Sequence, residues 1–239
     1  MCTVSFVNAN GKIVITSNRD EQTLRPNAIE PKDYLVNNKK IIFPKDQKAG
    51  GTWFIADDNG KVAVLLNGAE TKHIPLSKYR KSRGLILMEI MKAENSFSTF
   101  ETINLDEIEP FTIILFENKK LHQLRWNYHS KSMLQLDEQS SYIWSSSTLY
   151  DQEVIEKREK LFNNFLKNQL EMNEIAIIDF HKSPRIDSLE EGFLINREEK
   201  YKTFSITQAK ISDSILEFTH IDLLSDQIFH NELALIPSY

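Results

Sequence analysis

Apolar and polar residues alternate with a period of two through TVSFVNA (residues 3–9) and through KIVITSN (residues 12–18), and an Asn10-Gly11 pair lies between them. That alternation predicts half-buried strands, and Asn-Gly is the preferred chemistry of a tight hairpin turn. The pattern recurs in GGTWFIADD, Asn59-Gly60 and KVAVLLNG. FTIILFEN with KKLHQLRWNY predicts another strand pair, SYIWSSS a further strand, and YKTFSITQAKI with SILEFTHIDL a closing pair. Between these the period changes. Leu85, Ile86, Met88, Ile90 and Met91 predict a helix within residues 77–93, and Val154, Ile155, Arg158, Leu161, Phe162, Phe165 and Leu166 predict a second over 151–170. IAIIDF is a shorter apolar stretch ahead of the loop HKSPRIDSLEEG. Residues 21–49 are polar and punctuated by Pro26, Pro31 and Pro44, which predicts a long surface excursion. Strands at both ends with helices between them argue for one α+β domain over residues 1–239, layered and built on largely antiparallel sheets.

The hairpin turns set expected registers. A two-residue turn at Asn10-Gly11 puts Val7 opposite Val14, Phe6 opposite Ile15, Val4 opposite Ser17 and Cys2 opposite Arg19. Directly opposed residues have Cβ atoms about 4.5–5.5 Å apart, so a thiol and a guanidinium are expected as neighbours. A neighbouring positive charge favours the thiolate, and Asp20 is placed to hold the arginine. Cys2 is the chain's one cysteine and follows Met1 directly. It is small enough for the methionine to be removed, leaving an α-amine that serves as base for its own side chain. A small residue starting a strand is the plainer reading of Cys2, and the pairing with Arg19 favours the functional one.

In the second hairpin the same turn puts Trp53 opposite Leu66 and Thr52 opposite Asn67. The Asn67 amide, at a strand end before Gly68, has the donor an oxyanion needs, although by residue chemistry alone Asn67 is an ordinary turn residue and Trp53 a core aromatic. The remaining candidates are weaker. Serines 145–147 lack a nucleophile-elbow context and a histidine partner. The 6 histidines have no ligand-like spacing beyond a weak His122/His129 pair, so no metal is expected, and the 7 glycines form no phosphate loop, so no cofactor is expected.

Composition narrows the class. With 41% hydrophobic residues in 239 the chain can bury a sizeable core, and a net charge of -5 gives no general attraction to nucleic acid. No apolar run reaches the length of a membrane span, and the start lacks the pattern of a secretory signal. A lone cysteine forms no intramolecular disulfide, and the expected location is cytoplasmic.

MCTV, SNRDEQTLRP, GGTWFIA and GKVAVLLN, in this order, resemble the NRDE family, also called the transport and Golgi organisation family, whose tetrad is here Asn18-Arg19-Asp20-Glu21. The match is specific over roughly the first seventy residues. It implies the four-layer αββα fold of N-terminal nucleophile hydrolases, with a more distant similarity to the choloylglycine hydrolase and penicillin V acylase group. Carried over, that group implies Cys2 as nucleophile, Arg19 and Asp20 flanking it, and Asn67 in the oxyanion hole. Asn18 and Trp53 are then expected near the substrate. The chain departs from the hydrolase pattern in offering Ser146 where a further asparagine is expected, and Lys202 where a distal arginine is expected. The order of Asn, Arg and Asp within the tetrad also differs slightly. Two functions follow from the resemblance. One is a cysteine amidohydrolase or acyltransferase acting on a small amide or acyl ligand. The other is a non-catalytic carrier of an apolar ligand such as haem or an acyl chain.

Overall fold

The structure, a computed structural model, describes residues 3–9, 11–169, 171–183, 192–197 and 200–236. Cys2 and Asn10, where the first turn was expected, lie outside the described residues. The strands in chain order are β1 (Thr3–Ala9), β2 (Lys12–Gln22), β3 (Ala28–Val36), β4 (Lys39–Asp46), β5 (Phe54–Asp57) and β6 (Val62–Asn67). Helices α1 (Arg83–Lys92) and α2 (Ser96–Thr102) follow, then β7 (Phe111–Glu117), β8 (Lys120–Trp126), β9 (Lys131–Leu136) and β10 (Tyr142–Ser145). Helices α3 (Gln152–Asn168) and α4 (Glu174–Lys182) precede β11 (Asn196–Arg197), β12 (Tyr201–Ile211), β13 (Ile215–Asp222) and β14 (Gln227–Ala234).

Two seven-stranded sheets result. The first has the order β10-β1-β2-β12-β13-β14, with β11 also paired to β12, and the second runs β3-β4-β5-β6-β7-β8-β9. Every described pairing is antiparallel. The sheets meet face to face, with Phe6 against Phe116 at 5.9 Å and Phe54 edge-on to Phe218 at 5.5 Å between ring centroids. The core continues through the second sheet to Ile86, Leu87, Ile90, Met91 and Phe100 of α1 and α2. On the outer face of the first sheet Val7, Val14 and Ile143 pack against Phe162, Ile177 and Phe180 of α3 and α4. Alternation in β1 explains the division: Val4 and Phe6 face the other sheet while Val7 and Ala9 face the helices. The fold is thus α+β with two antiparallel sheets between helical layers.

The first hairpin keeps the expected register from Thr3 opposite Asn18 to Ala9 opposite Lys12. The second does not. Phe54 pairs with Val64 and Ala56 with Val62, one residue away from expectation, and the Leu65 amide donates to the Trp53 carbonyl at 2.9 Å where Leu66 was expected opposite Trp53. Gly60 alone takes a left-handed φ, +73°, while the Asp57 side chain accepts from the Asn59 and Lys61 amides, each at 3.0 Å. This is a longer turn ending in a left-handed glycine, and its extra residue displaces the register.

Residues 21–49 are not a surface excursion. They contain the end of β2 and the β3–β4 hairpin, whose turn residues Asn37 and Asn38 both have positive φ. The residues expected to be helical over 77–93 are so only from Arg83, because Ser82 caps the helix by accepting from the Leu85 amide. The second expected helix spans 152–168, capped by Asp151. Strands β9, β11 and β14 and helices α2 and α4 are additional to the expected elements.

The α1–α2 junction is anchored by a buried ion pair. Lys61 Nζ lies 2.8 Å from Glu117 Oε1, and both side chains are 4% exposed. Glu117 also accepts from the Ser96 and Phe97 amides at the start of α2, and Lys61 donates to the Ala93 carbonyl at the end of α1. Burial pushes the Glu117 carboxyl up, but Lys61 and these amides outweigh it and hold it below its ordinary value. Breaking a buried pair leaves one charge uncompensated. Lys61→Met is therefore expected to lower unfolding free energy by about 3–5 kcal/mol. In urea titrations the double variant Lys61→Met/Glu117→Met should lose less than the single one, and equal losses would show that the charge is not what matters.

Candidate functional site

Successive side chains of a strand point to opposite faces, so β2 sends Arg19 one way and Asn18 and Asp20 the other. Arg19 is 2% exposed and crosses from the first sheet to the second. Its Nη2 donates to Asp46 Oδ2 at 2.8 Å, and its guanidinium carbon lies 4.4 Å from the centroid of the Trp53 ring. Asp46 also accepts from Arg25 at 3.0 and 3.1 Å and from the Ala49 amide at 2.7 Å. Arg19 Nη1 has no hydrogen-bond partner among the described residues. Burial pulls the Arg19 guanidinium below its ordinary value, opposed by Glu21 and Asp46. Burial likewise pushes Asp46 up, and the Ala49 amide with Arg25 and Arg19 brings it below the usual range. The residue that holds Arg19 is therefore Asp46 and not Asp20, because strand alternation puts Asp20 on the far face. Sequence reading missed Asp46, which lies in the stretch expected to be a surface excursion.

Asp20 is buried and accepts from the Thr203 hydroxyl at 2.5 Å. Asn18 is also fully buried, and its Nδ2 donates to the carbonyls of His181 and Phe193 at 3.0 and 2.5 Å. Its Oδ1 is thereby left to accept from His181 Nδ1 at 2.6 Å, and His181 Nε2 accepts from the Ser5 hydroxyl at 2.7 Å. The imidazole is neutral: burial, with a smaller contribution from Arg158, lowers its pKa to about 3. Arg158 of α3 reaches the same face and donates to Thr3 Oγ1, to Ser145 Oγ at 2.9 Å and to the Gly192 carbonyl at 2.8 Å. It stacks on Tyr150 and Phe193 with its guanidinium carbon 4.3 and 4.4 Å from their centroids. The chain start at Thr3 is thus clamped from the helical side. Sequence reading placed Arg158 only on the apolar face of a helix.

A cavity of about 480 Å³ opens beside Arg19, with Trp53, Leu65 and Asn67 in its wall. Asn67 ends β6, and Ser146 Oγ donates to its carbonyl at 2.7 Å. Gly68 follows at φ +83°, where a Cβ would run into the Ser147 hydroxyl. Ser146 therefore acts on the backbone that presents Asn67. Arg19, Trp53 and Asn67 come together at the cavity, whereas Asn18, Asp20, Ser146 and Lys202 do not line it. Lys202 pairs with Glu21 and Asn196 across the strands of the first sheet. Cys2 lies outside the described residues. Among the described residues no group of three or more His, Cys, Asp or Glu side chains is arranged to hold a metal ion, and no helix is long and apolar enough to cross a membrane.

The family model described as Transport and Golgi organisation 2 matches residues 1–220 of the chain. No curated protein matches it in sequence. Among solved structures it is similar to the Caenorhabditis elegans ortholog of N-acylethanolamine-hydrolyzing acid amidase, with a TM-score of 0.62 and 13% identity over 87% of this chain and 92% of that one. It is also similar to a cysteine-to-alanine mutant of the conjugated bile acid hydrolase from Clostridium perfringens, with a TM-score of 0.58 and 10% identity over 100% of this chain and 99% of that one. At such identities the likeness is one of fold.

The buried histidines make stability depend on pH. His220, bonded to Thr207, has its pKa lowered to about 4, mainly by burial, as His181 has its own lowered to about 3. Both values lie below the unfolded value near 6.5, so the unfolded chain binds protons first as pH falls. Their stabilisation is complete above about pH 6.5 and is lost on descent toward pH 4 and 3, at about 1.4 kcal/mol per pH unit for each histidine. Urea titrations at a series of pH values should show this slope, reduced by one histidine's share in His181→Gln. An unchanged slope in that variant would mean that His181 takes up its proton in the folded protein.

Proposed function

Because the chain belongs to the Transport and Golgi organisation 2 family, we propose that it is an N-terminal cysteine amidohydrolase acting on a small amide, with acyl transfer when an amine replaces water. The observation that carries this reading is the buried Arg19, held by Asp46 and Trp53, with one guanidinium nitrogen that has no partner among the described residues, beside a cavity walled by Asn67. The amide-hydrolysing names of the two structural neighbours agree with it. Cys2 is taken as the nucleophile. It precedes Thr3, whose pairing with Asn18 follows the register expected of the hairpin.

In this reading the α-amine of a demethionylated Cys2 accepts the thiol proton, and the thiolate attacks the substrate carbonyl carbon. The C=O π electrons move onto oxygen, and the Asn67 side-chain amide donates to the oxyanion as it forms. Collapse breaks the C–N bond, the ammonium returns its proton to the leaving amine, and an acyl-thioester remains on Cys2. Water, deprotonated by the same amine, then releases the acid and regenerates the thiol. Arg19 supplies the positive charge that favours the thiolate. Asp20 and Thr203, on the helical face of β2, steady the strand that carries it.

The pH dependence of Cys2 alkylation tests the reading. An opposite charge within about 4–6 Å lowers a thiol pKa by roughly 1–3 units, so the wild type should titrate near or below 7. Arg19→Met should return toward the ordinary value of about 8.5. Arg25 keeps Asp46 paired in that variant, which protects the fold. Titration of both proteins near 8.5 would rule out an activated nucleophile.

A further inference from the structure

The buried stripe of α3 is interrupted by a charge. Val154 and Phe162 are apolar members of that stripe, and Arg158, four residues from each, is the fully buried side chain between them. Leucine or methionine would continue the stripe without taking a guanidinium out of water, and replacing buried charges by apolar side chains is often neutral or stabilising. Stability alone therefore does not call for an arginine here. What a guanidinium adds is direction, through donors fixed in a planar fork.

The strand face beneath it is polar at one end only. Of the β1 residues turned toward the helices, Val7 and Ala9 belong to the apolar cluster with Phe162 and Phe180, whereas Thr3 and Ser5 are buried hydroxyls. Thr3 stands in register with Ser145 of β10 on one side and Asn18 of β2 on the other, so these three share a face. Each is held from the helical layer. Arg158 donates to the Thr3 and Ser145 hydroxyls and to the Gly192 carbonyl, and it lies against the Tyr150 and Phe193 rings. The Asn18 amide is fastened to His181 and to the Phe193 carbonyl. Both groups of the proposed chemistry adjoin this row. Cys2 precedes Thr3 in the chain. Ser146 follows Ser145, and its hydroxyl donates to the carbonyl of Asn67 at 2.7 Å.

We infer that Arg158 is a positioning residue: by tying Thr3 to Ser145 it sets the place of Cys2 relative to Arg19 and to the Asn67 amide. The inference rests on the hydrolase reading for the roles of Cys2 and Asn67. Apolar contact in place of the fork would hold β1 and β10 to the helices without fixing them along their length. A misplacement of about 1 Å can cost on the order of a hundredfold where reacting groups must be aligned.

Two reagents used on the full chain separate the thiol from the oxyanion donor. Iodoacetamide alkylates Cys2 by displacing iodide, with no addition to a carbonyl, so its rate reads the thiolate. p-Nitrophenyl acetate acylates the same sulfur: the thiolate pair forms the S–C bond, a tetrahedral oxyanion results, and p-nitrophenolate leaves, so its rate reads Asn67 as well. Cys2→Ala supplies the background. Thr3→Val keeps the shape of the side chain and the Arg158 charge while removing the bond between them, Arg158→Met removes the charge too, and Phe162→Leu loosens the same helical layer away from the row. In Thr3→Val and Arg158→Met alkylation should titrate nearer the ordinary 8.5 and slow about tenfold at pH 7. Acylation should slow by about a further tenfold, and that further loss should vanish when Asn67→Ala is added. Phe162→Leu should react as the wild type does, and Thr3→Val decides the matter if Arg158→Met does not fold. Wild-type rates in Thr3→Val, or an equal slowing in Phe162→Leu, overturn the inference and leave the hydrolase reading standing. Slowing in Arg158→Met alone would be a loss of charge and overturns it as well. A wild type that titrates near 8.5 and acylates no faster than Asn67→Ala removes the hydrolase reading, and the inference with it.

Discussion

The contact on which the site depends is the one that ties the two sheets together at their polar end. Arg19 belongs to β2 of the first sheet, whereas Asp46 ends β4 and Trp53 leads into β5 of the second. Elsewhere the sheets are joined mainly by apolar contact, which is non-directional, with a further polar tie where Trp144 Nε1 of β10 donates to Gln123 Oε1 of β8 at 2.9 Å. A guanidinium in contact with one carboxylate and one indole face is directional, and a shift of either sheet would break it. A buried charge of this kind is tolerated because both partners are present. Asp46 in turn needs its second arginine and the Ala49 amide, so the turn at 46–51 belongs to the same unit.

The opposite face of β2 is held by a separate polar network. Asn18, His181 and Ser5 form a fully buried chain of hydrogen bonds, and Arg158 clamps Thr3 to Ser145 and Gly192. Asn18 uses both ends of its amide there, so the tetrad residue expected near the substrate instead fastens a helix to the sheet. Alternation along one strand therefore divides Asn18-Arg19-Asp20 into two functions: the middle residue faces the cavity, and its neighbours carry the helical layer. Ser146 plays a comparable supporting part by holding the backbone of Asn67 and not by offering its hydroxyl to the cavity.

Much of this was legible before any coordinates. The period of two and the apolar spacing of residues 152–168 are local signals, and each corresponds to an element found in the structure, while β1 and β2 keep the register expected of their hairpin. The misread parts have identifiable causes. β3 and β4 carry prolines and alternate weakly, and their Asn37-Asn38 turn is a less common hairpin signal than Asn-Gly. In the second hairpin a glycine in left-handed conformation takes an extra residue into the turn, and a dipeptide alone does not distinguish the two turn lengths.

By itself the sequence determined the layered α+β class and the first hairpin's register. These follow from chirality, pleat and turn chemistry acting within a few residues. Only the tertiary structure decided which carboxylate meets Arg19, because Asp46 is brought to it by the packing of one sheet on another across 27 positions of chain. The same holds for the cavity beside Arg19. Lys48, Lys81 and Arg83 are unremarkable surface charges along the chain, and they share one wall because two glycine-bearing segments, at Gly51 and Gly84, pack with their backbones in contact. Long-range packing depends on the whole set of buried surfaces at once, and no local pattern encodes it.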